Sequence, residues 1–440
     1  MPPRTTRRHK QGAESRERIL DAALEIAAER GYDGTTIALV CEATGLPASS
    51  VYWHFTNKDA LLAEVLEHSY TRGRSGELAF EATDVGDVHA RFAARFERVR
   101  LGLDEQPEFW RLGLMLSLLS GPDEIASRTR FLQVRQATLD ATVEWCADAI
   151  GAAAVARHPD LPVQLTQVVM AAGDGLFMAV QSDRDWDFDR LTAELGAATG
   201  AIAARRADAP KSRARRRTPE PVTRTPRPEP ADSRERLLAG AAEVAAERGY
   251  VGTTISRVCE RSGLPVSSVY WFFEDKDALL AGVVQHSFDE WAARQPSWEP
   301  TATAEGRAAA LRTVLRRTIR SFADTPDFLR VGHMVALERQ DEETAARALF
   351  LRIRRDVEGQ LAQWFAGTLV DSPASGDRTL PTLLARLVIA LTDGLFLAEQ
   401  VDSWAWDFDT TADLVVDVLE AVVASHETAA PPPRRARQHA

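Results

Sequence analysis

Cysteine is nearly absent from this chain: Cys41, Cys146 and Cys259 are the only three in 440 residues. Three cannot make a disulfide framework, and such sparse usage fits a reducing, cytoplasmic setting. Two of them hold equivalent places in "LVCEATG" and "RVCERSG" and are read as small core side chains rather than redox sensors. Also missing is any run of eighteen apolar residues, and Met1 leads into "PPRTTRRHK" with no apolar stretch behind it. Both absences speak against a secreted or membrane-spanning protein. There is no phosphate-binding loop, no metal spacing among the nine histidines and no nucleophile motif, so neither an enzyme nor a cofactor- or metal-dependent protein is expected. His68 and His286 are equivalent, but each stands alone. Strand-like alternation is absent too.

What is present favours helix. Apolar residues make up 45% of the chain and aromatics only 7%, with alanine supplying much of the apolar share. The length suggests two to four domains. A net charge of −11 argues by itself against a nucleic-acid partner, yet the charges are unevenly spread. Arg4, Arg7, Arg8 and Lys10 open the chain without an acid, and residues 205–230 carry nine Arg or Lys against three acids.

The chain is also written twice. Residues 15–66 align without gaps on 233–284, with 36 identities in 52. Further on, "PEFWRLGLM" from Pro107 answers "PDFLRVGHM" from Pro326, "GDGLF" from Gly173 answers "TDGLF" from Thr392, and "WDFD" recurs from Trp186 and Trp406. Two long copies make a tandem rather than a solenoid. Between them runs a segment rich in Pro, Arg, Ser and Thr that cannot form a core and reads as extended.

Each copy reads as all-α. Ser15 is positioned to cap a first helix with an apolar face of Ile19, Ala23, Ile26 and Ala27, and Gly31 sits where it would stop. Thr35-Thr36 caps a short second helix to about Ala43, "TGLPASS" turns the chain, and a third helix carries Val51, Tyr52 and Trp53. Asn57, and Asp275 in the second copy, caps a fourth. Val88, Phe92, Phe96, Val99 and Leu103 mark an amphipathic helix, and 108–120 is apolar nearly all round.

Residues 36–54 have the layout of a helix-turn-helix, in which the second helix fits the major groove of DNA. The serines of "SSVYW" can approach bases or phosphates, Tyr52 can give its hydroxyl to a phosphate, and Thr36 and Lys58 open helices whose free N–H groups attract phosphate. Spacing alone leaves ordinary helix packing equally open. The full pattern, "G-Y-x-G-T-T-I" followed by "G-L-P-x-S-S-V-Y-W-x-F-x-x-K-D-A-L-L", closely resembles the DNA-binding domain of the TetR/AcrR family of bacterial transcriptional regulators, over residues 14–68 and again over 232–286. The resemblance implies phosphate contacts by Thr36, Tyr52, His54 and Lys58, with Ala48, Ser49, Ser50 and Trp53 on the recognition helix. In the second copy it implies Thr254, Tyr270 and Lys276, with Val266, Ser267, Ser268 and Trp271. Pro47 and Pro265 depart from the family's usual Ser or Thr cap, and His54 is replaced by Phe272.

The expected organisation is therefore a basic arm (1–13), a helix-turn-helix domain (14–70), a helical sensor and dimerisation domain (71–205), a basic linker (206–231), a second helix-turn-helix domain (232–288), a second sensor domain (289–427) and a disordered tail (428–440). Family members pair through the last two sensor helices, here about 163–181 with 189–204 and 382–400 with 410–425. Gly173 and Gly175 would permit either close approach or a kink. A single chain would then supply both halves of a dimer, as a pseudo-dimer on a pseudo-palindromic DNA operator, with a homodimer of four reading heads left open. The resemblance implies a repressor governed by a small molecule, lipophilic or aromatic if the pocket is lined by Phe109, Trp110, Met115, Trp145 and Phe177, or by Phe328, His333, Trp364 and Phe396. Leu114 becomes His333 and Leu119 becomes Glu338, which would make the second pocket more polar. The rival reading is a helical interaction or small-molecule-binding protein that no longer binds DNA.

The copies also differ in the bracing helix, where Ala38-Leu39 becomes Ser256-Arg257. Arg257 could reach a guanine or a phosphate, so that the two half-sites differ, with a solvated surface charge equally open. If it reads a base, Arg257→Leu should relax selection on one half-site by about 1–3 kcal/mol, and unchanged selection on both would remove this role.

Overall fold

The computed structural model describes residues 4–75, 86–105, 107–120, 125–183, 185–210, 230–295, 303–324, 326–338, 343–401 and 407–429. Helices and short 3-10 turns account for its regular structure, with no strand among the described residues. The central part of the expected linker, most of the tail and Trp406 lie outside them.

The first half holds α1 (Arg4–Gly34), α2 (Ile37–Thr44), α3 (Ala48–His54), α4 (Lys58–Ser75), α5 (Val88–Glu105), α6 (Pro107–Leu118), α7 (Ala126–Ile150), α8 (Ala152–Arg157), α9 (Leu161–Ser182) and α10 (Phe188–Asp208). The second half repeats the order with α11 (Ser233–Gly252), α12 (Ile255–Ser262), α13 (Val266–Phe272), α14 (Lys276–Ala293), α15 (Ala304–Ser321), α16 (Asp327–Leu337), α17 (Ala345–Thr368), α18 (Leu380–Val401) and α19 (Phe408–Ala429). A 3-10 turn at Pro373–Gly376 stands in place of α8.

Local sequence explains most boundaries. Thr36 and Thr254 cap α2 and α12, accepting from the amides of Leu39 (3.2 Å) and Arg257 (3.4 Å). Asn57 and Asp275 do the same for Ala60 and Ala278, both at 2.8 Å. Gly45 and Gly263 take the left-handed conformation (φ 67°) that ends the first helix of each helix-turn-helix. The first boundary differs from expectation. α1 begins at Arg4 and passes through Ser15, so residues 4–13 of the expected arm are helical and Ser15 is not its cap. No proline follows Pro3 in this stretch to stop the helix. At the other end α1 kinks at Gly31, and α11 at Gly249.

Each head packs its three helices and α4 or α14 around a small core. Ile19, Leu20, Val40, Val51, Phe55 and Leu61 are buried in the first, and Leu237, Leu238, Val258, Val269, Phe273 and Leu279 in the second. Cys41 and Cys259 are half-buried rather than buried, while Cys146 is enclosed and burial pushes its thiol up to about 12.

The two halves meet along α9 and α18, flanked by α10 and α19. A Cβ on Gly175 would stand 1.7 Å from the carbonyl oxygen of Ala390, and one on Gly394 1.8 Å from that of Ala171. The helices therefore touch backbone to backbone at two equivalent glycines. Gly173 plays no such part, since its nearest neighbour is Val99 at 3.9 Å. Both α9 and α18 are long and apolar enough to cross a membrane, but 78% of each apolar window is buried inside the protein. Their hydrophobicity is used against one another.

Gly175→Ala should wedge these helices apart and cost about 1–3 kcal/mol or more in denaturant unfolding. Gly359→Ala, on an exposed face of α17 with nothing near the new methyl, should instead stabilise by up to about 1 kcal/mol. Equal effects at both positions would contradict the backbone contact.

Candidate nucleic-acid interface

α3 and α13 bury only Val51 and Val269; most of the remaining surface of each helix faces outward. Tyr52 is 56% and Trp53 77% exposed, and Tyr270 and Trp271 are 58% and 82% exposed. These rings are left open to outside contact rather than packed into the core. Ala48, Ser49, Val266 and Ser267 are exposed beside them, with Ser50 and Ser268 half-buried. A Cβ on Gly12 would lie 3.8 Å from the Trp53 ring, so α1's amino-terminal extension runs alongside this reading helix.

The sequence-predicted phosphate contacts divide into two kinds. Thr36 and Thr254 are exposed at helix starts, where their hydroxyls can still donate while capping. His54 stacks edge-on against Trp53 at 4.6 Å; partial burial and Arg16 hold it below the usual histidine range, so at neutral pH it offers a neutral imidazole. Lys58 and Lys276 turn inward. Lys58 Nζ donates to the Tyr32 carbonyl at 2.8 Å and sits 4.1 Å from the centre of its ring; Lys276 does the same to Tyr250 at 3.1 Å and 4.0 Å. Burial lowers both lysines. Each ammonium holds the end of the first head helix rather than standing free. Arg257 also folds back, donating to the Gly252 carbonyl, so it must leave that bond to reach a base.

The residue after each lysine was missed from sequence. Asp59 accepts from Ala126 N (2.7 Å), Ser127 N (3.1 Å) and Ser127 Oγ (2.9 Å), the first turn of α7. Asp277 accepts from Ala345 N and from Ala346 N (3.2 Å) at the start of α17, and from the Tyr250 hydroxyl (3.2 Å). A carboxylate there meets free N–H groups and the positive end of the helix dipole. Adjacent residues thus clasp the head on one side and the sensor bundle on the other. The repeated "KDALL" was the available signal, read for its lysine alone.

The two heads also abut. A Cβ on Gly252 would lie 2.8 Å from Asp33 Oδ2, and Arg248 stands 3.8 Å from Asp33; beside them Ser120 N, just past α6 of the first bundle, donates to Ala246 O of the second head at 2.6 Å. Glu338 lies between the kinks, 3.6 Å from a Cβ on Gly31 and 3.5 Å from one on Gly249. It therefore belongs to the head junction, not to a pocket as expected.

The predicted pocket residues meet only in part, with Phe109 against Trp110 and His333 against Phe396. Phe109 touches Tyr70, Trp110 and Phe131; Met115 reaches the Gly31 kink; Phe177 is core. Trp145 packs on Phe92 beneath Arg91 and Arg95, and Trp364 on Phe365. His333 is fully buried between Phe350 and Phe396, with Nε2 3.2 Å from Asp393. Phe328 does line a cavity of about 90 Å³ in the second half, with Phe288, Trp291, Phe322, Phe350 and Arg354 among its walls.

Two tryptophan-bearing helices behind glycine turns, each braced by a capped short helix, define a tandem helix-turn-helix protein. The family model for "Bacterial regulatory proteins, tetR family" matches residues 19–65 and 237–283. The chain is 35% identical over 82 residues to the HTH-type transcriptional regulator AcrR of Shigella flexneri, covering 18% of this chain and 38% of that protein. It is 39% identical over 69 residues to the Tetracycline repressor protein class D of Escherichia coli, 14% and 32% of the two. Against the uncharacterized HTH-type transcriptional regulator TtgW of Pseudomonas putida it is 32% identical over 107 residues, 22% of this chain and 80% of TtgW. The match thus spans about a third of the first two relatives. This chain belongs to the tetR family of bacterial regulatory proteins.

Asp59→Ala should raise amide hydrogen exchange at residues 126–128 and cost about 1–2 kcal/mol. Asp277→Ala should do less at 345–347, because Thr344 also caps α17 through Arg347 N at 3.2 Å. Equal exchange in the two variants would argue against Asp59 as the principal cap.

Proposed function

We propose that this chain is a DNA-binding transcriptional regulator that serves as its own dimer, setting two unlike reading heads on one pseudo-palindromic operator and repressing until a small molecule binds. The carrying observation is the pair of bare recognition helices, α3 and α13, on two halves joined through Gly175 and Gly394. Tethering makes pairing intramolecular, so occupancy does not fall with subunit dissociation at low abundance. Thr36, Tyr52 and His54, with Thr254 and Tyr270, meet phosphates mostly as neutral donors, which suits a chain of net charge −11. Ala48, Ser49, Ser50 and Trp53 read one half-site; Val266, Ser267, Ser268 and Trp271 read the other.

Response to a ligand follows from the clasps. Phe350, Ile353 and Arg354 bring α17 to the cavity wall, and the same helix is held at its start by Asp277 on α14. A ligand that shifts α17 thereby shifts the head through α14, and it acts only as far as it favours one arrangement over the other.

Footprinting on the DNA flanking its own gene, with bound mass from light scattering, tests this reading. One chain per site with two unlike half-sites is expected; two chains per site, or no protection there and none in a random-sequence pool, would overturn it. Trp53→Ala should weaken one half-site and Trp271→Ala the other, each by about 1–3 kcal/mol, with unfolding midpoints unchanged.

A further inference from the structure

The two reading helices are nearly one sequence. α3 is ASSVYWH and α13 is VSSVYWF, alike at five of seven positions and different at the first and the last. Their backbones enter alike as well. Pro47 has φ −68° and ψ 151°, and Pro265 has φ −69° and ψ 157°. The amides of Ser50 and Ser268 donate to the two proline carbonyls at 2.8 and 2.9 Å. Val51 and Val269 anchor the helices in the same way, each fully buried. Within the reading helix, whatever one head contacts and the other does not is decided by Ala48 against Val266 or by His54 against Phe272.

The two ends of the helix are placed differently. His54 packs edge-on against Trp53, and the Phe272 ring lies 6.4 Å from that of Phe273, both at the far end. In a helix-turn-helix it is the opening residues of the second helix that meet base edges, which gives the choice of base to residue 48 or 266. Ala48 is exposed, and Val266 is 48% exposed and no member of the head's core. Val266 presents two methyl groups where Ala48 presents one, farther from the backbone and, through β-branching, held in few rotamers. An isopropyl group neither donates nor accepts a hydrogen bond. The apolar group that a base pair offers the major groove is the C5 methyl of thymine.

We propose that Val266 reads a thymine methyl in the half-site under α13, and that Ala48, with its shorter reach, makes no such demand on the half-site under α3. The serines, tyrosine and tryptophan shared by both helices read what the half-sites have in common. The operator is then a palindrome broken at one pair of matching positions, by a methyl group. This rests on the DNA-binding reading above, and the test separates the two.

Duplexes are selected by the full chain from a random-sequence pool, and the half-site under α13 is recognised as the one weakened by Trp271→Ala. Each thymine of a selected duplex is then replaced by deoxyuridine, which removes the methyl and keeps every hydrogen-bonding group. Expected is one position under α13 where the replacement weakens binding about fourfold, the effect of one buried methyl, and less than about twofold at the matching position under α3. Val266→Ala, which gives α13 the opening residue α3 already has, should remove this dependence. Ala48→Val should create it under α3 once a thymine stands at the matching position. Both side chains are exposed, and thermal melts check that each variant folds as the parent does. Selected half-sites with no thymine under α13 that responds to deoxyuridine, or a dependence that survives Val266→Ala, would overturn the proposal and leave the DNA-binding reading standing. No selected sequence at all would overturn both.

Discussion

At Gly175 and Gly394 two helices from opposite halves of one chain touch without any side chain between them. Everything above and below depends on that crossing. It lets the most apolar helices of the protein, α9 and α18, cover one another, and it fixes how the two bundles face. A backbone crossing is stiff: the smallest side chain at either glycine would overlap a carbonyl, so the contact has little room to slide. The heads meet separately, through α1 and α11.

Between this fixed interface and the heads lies the Lys-Asp clasp. Lys58 and Lys276 neutralise the carbonyl end of the first head helix, and Asp59 and Asp277 neutralise the amide end of α7 and α17. Opposite charges on consecutive residues serve opposite ends of two helix dipoles. The head therefore cannot tilt independently of the sensor helix behind it.

The halves are alike in their heads and diverge in their bundles. Glycine against backbone seats α5, whereas arginine against aspartate seats α15. Ion pairs that are partly exposed contribute little net stability, so the second arrangement gives up packing for space. The buried arginines tell the same story. Arg135 pairs with Asp174, and Arg354 with Asp393 and, across the interface, Asp183. Such pairs are costly to break once buried.

Much of this was written in the chain. The caps at Thr36, Asn57, Thr254 and Asp275, the glycine turns, the outward Tyr and Trp, and the four interface helices were all legible, because each depends on residues within a few positions or on one helical face. Ser15 was misread since a cap signal means nothing where the helix simply continues upstream. The pocket is less legible for a different reason: aromatic residues in a bundle look alike in sequence whether they line space or fill it. Lys58 and Asp59 were visible, but their partners lie 26 and 67 residues away along the chain, and no local pattern states such a distance. By itself the sequence determined an all-helical tandem with two reading heads, through periodicity and repetition. Only the tertiary structure decided which glycines cross, which carboxylates clasp and which aromatics wall a cavity, because those outcomes depend on how closely two backbones approach in space.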